Sequence, residues 1–422
     1  MSDNENVKKK KPELLIPAGS PDTFKVAVDY GADAVYIGGD AFGLRAKAKN
    51  FSRDEMAAAI AYAHGRNVKV HVTANILAHN GDIAAAETYF KELKELGPDA
   101  LIIADPGMFM LAGKICPEIE RHVSTQANNT NYETFRFWYE QGAKRAVCAR
   151  ELSLKEIKEI REKIPEDMEV EAFVHGAMCI SYSGRCLLSS YFTGRDANRG
   201  ACTHPCRWRY AVMEETRPGE YLPIEENERG TFIFNSKDLC MAEHIPELVD
   251  AGIDSFKIEG RMKTALYIAV AARTYRRAID VYDKEGEEGF KALLPWIRNE
   301  LSGCNNRRYT TGFYYGRPDH ESQIYDESTY VNDAVFLGII EEVKDGLVRI
   351  SQKNKFSCGE AIEVMKKDGS DIKAAAVSMY DGDMNSIDSC PHPGQTVWIG
   401  LEGDKLPEPG DVIRIKRGTA AE

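Results

Sequence analysis

A chain of 422 residues exceeds what one hydrophobic core ordinarily serves, so a large domain and a smaller one are expected. Its net charge of −12 repels polyanions over most of the surface and confines any nucleic acid to a local basic patch. No apolar run approaches the ~18–20 residues of a membrane span, and the polar start MSDNENVKKKK lacks the apolar segment of a secretion signal, which points to a soluble protein in a reducing cytoplasm.

Residues 1–12 read as a flexible tail. From Glu13 onward, short β-branched runs alternate with amphipathic stretches of about a dozen residues, the pattern of βα units around a parallel sheet. The runs are ELLIPAG (13–19), AVYIGG (34–39), VKVHVTAN (68–75), ALIIAD (100–105), RHVSTQAN (121–128), RAVCARE (145–151), VEAFVHG (170–176) and DSFKIEGR (254–261). Helical patterns follow at 21–30, 53–64, 83–96, 108–115, 132–141, 154–163, 240–250 and 264–283. Eight repeats within residues 13–285 predict a (β/α)8 TIM-like barrel, with a doubly wound open sheet as the alternative.

In such a barrel the C-terminal ends of the strands face the active site. Polar residues gather there: Arg45, His71, Asn75, Asp105, Ser124, Gln126, Asn128, Arg150, Glu151, Glu171, His175, Lys257, Glu259 and Arg261. Each alone is explained as a hydrogen-bonded barrel residue; together they describe a polar mouth of mixed charge.

Between the seventh and eighth runs, residues 177–239 form an expected insertion, and it is rich in thiols. Cys179, Cys186, Cys202 and Cys206 follow the spacing C-x6-C-x15-C-x3-C, and Cys240 stands where NSKDLC is expected to start the next helix. Structural zinc sites favour paired C-x2-4-C knuckles, and only Cys202 and Cys206 have that form. Four thiolates from a long glycine-containing loop suit an iron-sulfur cluster; zinc and a set of unlinked buried thiols are the alternatives. Cys116, Cys148, Cys304, Cys358 and Cys390 are isolated and need no role beyond small apolar filling.

EAFVHGAMCISYSGRCLLS (171–189), together with PELLIPAGSPDTFKVAVDYGADAVYIGG at the front and SFKIEGRMK at the eighth run, resembles the peptidase U32 family along the whole chain. Despite that name, the resemblance implies a bacterial protein that carries a [4Fe-4S] cluster and inserts hydroxyl groups without O2. The branch of similar length and with an appended C-terminal domain modifies the wobble uridine of tRNA to 5-hydroxyuridine, with prephenate implied as oxygen donor. Other branches hydroxylate ribosomal RNA or a ubiquinone precursor, and some members were first described as collagenases. The resemblance makes Cys179, Cys186 and Cys202 cluster ligands and leaves the fourth open between Cys206 and Cys240. It also implies that a related U32 chain can be a partner, so a non-catalytic RNA-binding subunit is a further reading.

Prephenate is a dicarboxylate, and Arg45, Arg150, Lys257 and Arg261, with Gln126 nearby, are candidate donors to it because guanidinium pairs carboxylate bidentately. Arg185 beside Cys186 is another. His175 or Glu171 at the end of the seventh strand is the candidate general base. A protease would need an activated nucleophile or metal-bound water, yet the sequence has no H-E-x-x-H and no G-x-S-x-G; His175, four residues before Cys179, is its one candidate base for a cysteine nucleophile. Basic and aromatic residues cluster in RWRY (207–210) and NNRRYTTGFYYGR (305–317), which makes Arg207, Arg209, Arg307 and Arg308 candidate tRNA contacts. Residues 286–330 read as a linking segment, and 331–422 contain six short alternating strands that predict a small β-barrel.

Overall fold

The protein was analysed as a computed structural model that describes residues 10–43, 50–178, 185–195, 197, 201–205, 226–227, 230–231, 237–316, 333–403 and 407–416. Arg45, Cys179, Cys206, Arg207 and Arg209 lie outside the described residues.

Seven βα repeats open the chain: β1 (Glu13–Pro17), α1 (Pro21–Asp29), β2 (Ala34–Gly38), α2 (Arg53–His64), β3 (Lys69–Ala74), α3 (Ile83–Leu96), β4 (Ala100–Ile103), α4 (Pro106–Ile115), β5 (Glu120–Val123), α5 (Tyr132–Glu140), β6 (Arg145–Val147), α6 (Leu154–Lys163), β7 (Glu169–Gly176) and α7 (Leu188–Thr193). There follow β8 (Glu226–Asn227), β9 (Gly230–Thr231), β10 (Asp238–Cys240), α8 (Ile245–Asp250), β11 (Ser255–Ile258), α9 (Ala265–Ser302) and β12 (Tyr309–Thr310). The helices begin where the sequence supplies caps. Ser20, Ser52 and Ser153 each accept a backbone N–H of the first turn and complete a capping box, and Asp105, Asn131 and Thr264 cap α4, α5 and α9.

Strands β1 to β7 pair in sequence order and all in parallel, and β11 pairs in parallel with both β7 and β1. That double pairing closes an eight-stranded barrel and excludes the open sheet. Alternation of side chains sorts the strands into two faces. Leu14, Ile16, Val35, Ile37, Val70, Val72, Val170, Val174 and Phe256 join helix residues such as Phe24 and Phe90 in the outer core, whereas Leu15, Ala34, Tyr36 and Ile102 form a small separate cluster of their own. The lumen is otherwise charged, as described below.

One expectation is corrected. Cys240 does not start a helix: it ends β10, which pairs antiparallel with the last residues of β7, Leu239 opposite Gly176 and Cys240 opposite His175. The tail of β7 past its pairing with β6, which ends at Glu171, offers the backbone partners that a helix there would forgo. Helix α9 turns at Gly286 (φ 69°) and continues as a second helical segment to Ser302. Glycine tolerates that left-handed backbone.

The C-terminal part forms β13 (Ala334–Lys344), β14 (Leu347–Ser351), β15 (Phe356–Ser357), β16 (Ala361–Met365), β17 (Ile372–Tyr380), β18 (Ser389–Cys390), β19 (Thr396–Leu401) and β20 (Val412–Lys416). Six of these close a second barrel in the order β13-β14-β19-β17-β16-β20, with its own apolar core including Leu337, Ile350, Val364, Val397 and Ile413. It is joined to the first barrel by buried polar groups. The Tyr30 hydroxyl at the end of α1 donates to Met365 O (2.7 Å) and accepts from Val412 N (3.1 Å). Arg273 of α9 pairs with Asp371 and Glu300, and Arg414 of β20 pairs with Glu300 and Glu363. Among the described residues, no helix is long and apolar enough to cross a membrane.

Candidate active site

The lumen of the large barrel holds a stack of charge. Arg145 of β6 pairs with Glu13 (2.6 Å), Glu169 (2.6 Å) and Glu171 (3.0 Å), and Lys257 of β11 donates to the other oxygen of Glu171 (2.7 Å). Burial alone would raise the Glu171 carboxyl, but Lys257 and Arg145 hold it down at about 2. His71 and His122 meet edge to face at 4.9 Å, and burial, with His122 beside it, keeps His71 neutral by pushing it down to about 3. Expected at the mouth, Glu171 and Lys257 thus lie within the lumen, each already committed to a partner.

Above them, the C-terminal strand ends carry a different set. Arg261 is 7% exposed and donates to Thr73 Oγ1 (2.9 Å) and Asn50 Oδ1 (3.1 Å). Its guanidinium rests against Gly38 at the end of β2, where a Cβ would stand 2.5 Å from a guanidinium nitrogen; only glycine leaves that room. Arg150 lies over the Phe173 ring at 4.0 Å and donates to Ala177 O (2.8 Å), which fixes the chain two residues before Cys179. Gln126 sits in the turn after β5, its backbone and amide oxygen both near Ser124 Oγ at 3.4 Å. Asn128, left-handed at φ 56°, closes that turn and accepts from Arg185 Nε (2.6 Å). Arg185 precedes Cys186, so this bond ties the cysteine stretch to the mouth.

His175 is buried among the rings of Tyr267, Tyr275 and Tyr309, with centroids 5.7, 5.5 and 5.5 Å away. Tyr275 donates to Val174 O (2.8 Å), accepts from Met241 N (3.1 Å) and lies 3.5 Å from His175 Nδ1. Burial holds the imidazole down at about 4 despite Asp238, so it is a neutral base at physiological pH. The sequence reading missed this tyrosine cage; Tyr267 and Tyr275, about two turns apart on α9, were its available signal. It also missed Asp238, which forms a buried ion pair with Arg307 (2.6 Å). Arg307 is 2% exposed and serves as a strut for β10, whereas Arg308 beside it is exposed.

Of the cysteines, Cys186 and Cys202 are half-buried, and the His204 N–H donates to Cys202 Sγ at 3.4 Å. Such N–H···S bonds tune metal-bound thiolates. Cys240 packs toward Tyr275, and burial pushes its thiol up to about 12. Among the described residues no three His, Cys, Asp or Glu side chains gather to hold a metal. The thiol donor chemistry fits an iron-sulfur cluster only with residues outside that set, Cys179 above all.

Comparison with known sequences places these features. The pattern of peptidase family U32 matches residues 19–324, and that of the U32 C-terminal domain matches 332–414. The chain belongs to peptidase family U32. Among its U32 relatives, the tRNA hydroxylation protein P1 of Bacillus subtilis is 39% identical over 407 residues, spanning 96% of this chain and 95% of its own. The tRNA hydroxylation protein P of Escherichia coli is 39% identical over 438 residues, spanning 93% and 94%. The 23S rRNA 5-hydroxycytidine C2501 synthase of Escherichia coli is 37% identical over 273 residues, which cover 65% of this chain and 40% of that enzyme.

Proposed function

We propose that this chain is a cytoplasmic tRNA-modifying enzyme that converts the wobble uridine to 5-hydroxyuridine without O2, with prephenate as oxygen donor and a related U32 chain as a candidate partner. The observation that carries this reading is end-to-end similarity, through both barrels, to proteins named for tRNA hydroxylation. The ribosomal RNA enzyme matches over only 40% of its own length, so it supports the class of chemistry more than the target.

A [4Fe-4S] cluster, held by Cys179, Cys186, Cys202 and Cys240, would supply the redox chemistry. Cys240 is preferred to Cys206 because β10 returns it to the end of β7, opposite His175 and so within four chain positions of Cys179. Binding there would require loss of the thiol proton that burial now retains. Arg261, cradled on Gly38, and Arg150, stacked on Phe173, present cations toward an anionic donor, with Arg45 and Gln126 as further contacts. Lys257 is left out of this clamp because Glu171 already neutralises it. His175 accepts a proton at Nε2, its Nδ1 side being occupied by Tyr275, and the surrounding tyrosines exclude water from it. Arg308 is retained as a phosphate contact with Arg207 and Arg209; Arg307 is not.

The peptidase reading asks for a thiolate–imidazolium pair. Cys240 and His175 are paired in register, but the thiol is pushed up to about 12 and the imidazole down to about 4, which leaves both neutral.

The test is anaerobic purification with iron and sulfide analysis, then incubation with unmodified tRNA and prephenate, alone and with a related U32 chain, and nucleoside mass spectrometry. About four irons and four sulfides per chain, with 5-hydroxyuridine at the wobble position, are expected. Product on ribosomal RNA but not tRNA would move the target. Peptide cleavage by iron-free protein would overturn the enzyme class.

A further inference from the structure

The stretch from Arg185 to Arg195 holds two arginines, and its first carboxylate neighbour on the C-terminal side is Asp196. Within it, α7 turns its apolar side chains outward. Leu187 is 68% exposed and Tyr191 83%, and they stand four residues apart on one face. Phe192, 46% exposed, meets the Tyr191 ring edge to face at 5.1 Å. Single exposed apolar residues are ordinary, but a paired, exposed set beside cations marks a contact surface.

The opposite side of α7 explains how that set is held. Ser189 is fully buried; its Oγ accepts from Thr203 N (3.1 Å), and Thr193 Oγ1 donates to Ser189 O (2.7 Å). Thr203 follows Cys202, and Arg185 is bonded to Asn128 at the barrel mouth. The aromatic pair is therefore held on a helix tied through Thr203 to the cysteine stretch, whose Arg185 is bonded at the barrel mouth.

We propose that Tyr191 and Phe192, flanked by Arg185 and Arg195, are a stacking platform for an unpaired RNA base at the mouth of the large barrel. This rests on the RNA-modifying reading above and gives it a docking position. Aromatic faces stack on unpaired bases and guanidinium groups pair with phosphate, so an exposed aromatic pair flanked by two arginines on a chain of net charge −12 matches a single-stranded polyanion. The complementarity selects RNA over an apolar protein partner, which would have no use for the flanking cations.

The test measures binding of the full chain to an anticodon stem-loop RNA and to a fully paired duplex of equal length, by fluorescence anisotropy over a salt series. Tyr191→Ala should weaken the stem-loop between about fivefold and a hundredfold and leave the duplex unchanged, while Tyr191→Trp restores affinity. Arg195→Ala should lower the salt slope by about one. Because Tyr191 is exposed, its melting temperature should not move, which separates lost contact from lost fold. If the unsubstituted protein binds the stem-loop and Tyr191→Ala binds it equally, or loses duplex and stem-loop alike, the platform is overturned and the enzyme reading stands. If Tyr191→Ala instead alters self-association in sedimentation velocity at unchanged RNA affinity, the face belongs to a protein contact and the platform is again overturned. If the unsubstituted protein binds neither RNA, the RNA-modifying reading fails and the platform with it.

Discussion

Residues 185–195 and 305–316 look alike in composition, each mixing arginine with aromatic rings, yet the fold uses them in opposite ways. The first turns Tyr191 and Phe192 to solvent. The second buries Arg307 against Asp238, places Tyr309 against His175, and sends the Tyr314 hydroxyl to Phe173 O (2.7 Å). What separates them is a carboxylate from elsewhere in the chain: Asp238 pairs with the buried Arg307, whereas among the described residues no carboxylate pairs with Arg185 or Arg195. A basic aromatic stretch is open to a nucleic acid when no internal carboxylate neutralises its cations.

That contrast can be broken most directly at Asp238. Replacing it by Ala leaves Arg307 charged and buried, and the expected cost is about 3–5 kcal/mol, read from the midpoint of urea unfolding. RNA affinity of the folded fraction should be unchanged; a specific loss would return Arg307 to the RNA surface.

Acid sharpens the contrast next. Glu171 has a folded pKa of about 2 against an ordinary 4.5, so its contribution to stability is full above pH 4.5 and disappears as pH falls toward 2. His71, at about 3 against 6.5, likewise supports the fold above pH 6.5 and loses that support on acidification. Melting temperature should therefore fall from pH 6.5 downward, with a flatter acid limb in Glu171→Gln.

Smaller effects follow from gentler changes. Arg307→Lys keeps the charge but loses the two-nitrogen contact with Asp238 Oδ1, for about 1–2 kcal/mol in the same unfolding assay. Arg308→Ala, at an exposed position, should change stability by less than ~0.5 kcal/mol while lowering the salt slope of tRNA binding by about one. An unaltered slope would leave residues 305–316 with a purely internal role.

The barrel was legible because its determinants are local. Alternating runs such as ELLIP and AVYIG and the capping serines Ser20, Ser52 and Ser153 each announce themselves within a few residues. The strand at Asp238–Cys240 was not, because three residues carry no periodicity and its partner His175 lies far back in the chain. Burial of Arg307 was hidden for the same reason, its carboxylate being 69 positions away. At the site, cysteine spacing and the polar strand ends were readable. Which of those residues face the opening, as Arg261 does, and which sit below it, as Glu171 does, depends on strand length and register, which composition does not carry.

The joint between the two barrels has a consequence for the order of synthesis. Pairing of β11 with β1 and β7 can close the first barrel once residue 258 has emerged, but Glu300 receives Arg414 only from β20, near the end of the chain. Until then Glu300 has Arg273 of its own helix as its cation, and the surface that will meet Met365 and Val412 stands open to water. A ribosome that stalls between these two points therefore releases a barrel that is closed but unsealed on one flank, a species for chaperones and proteases to recognise.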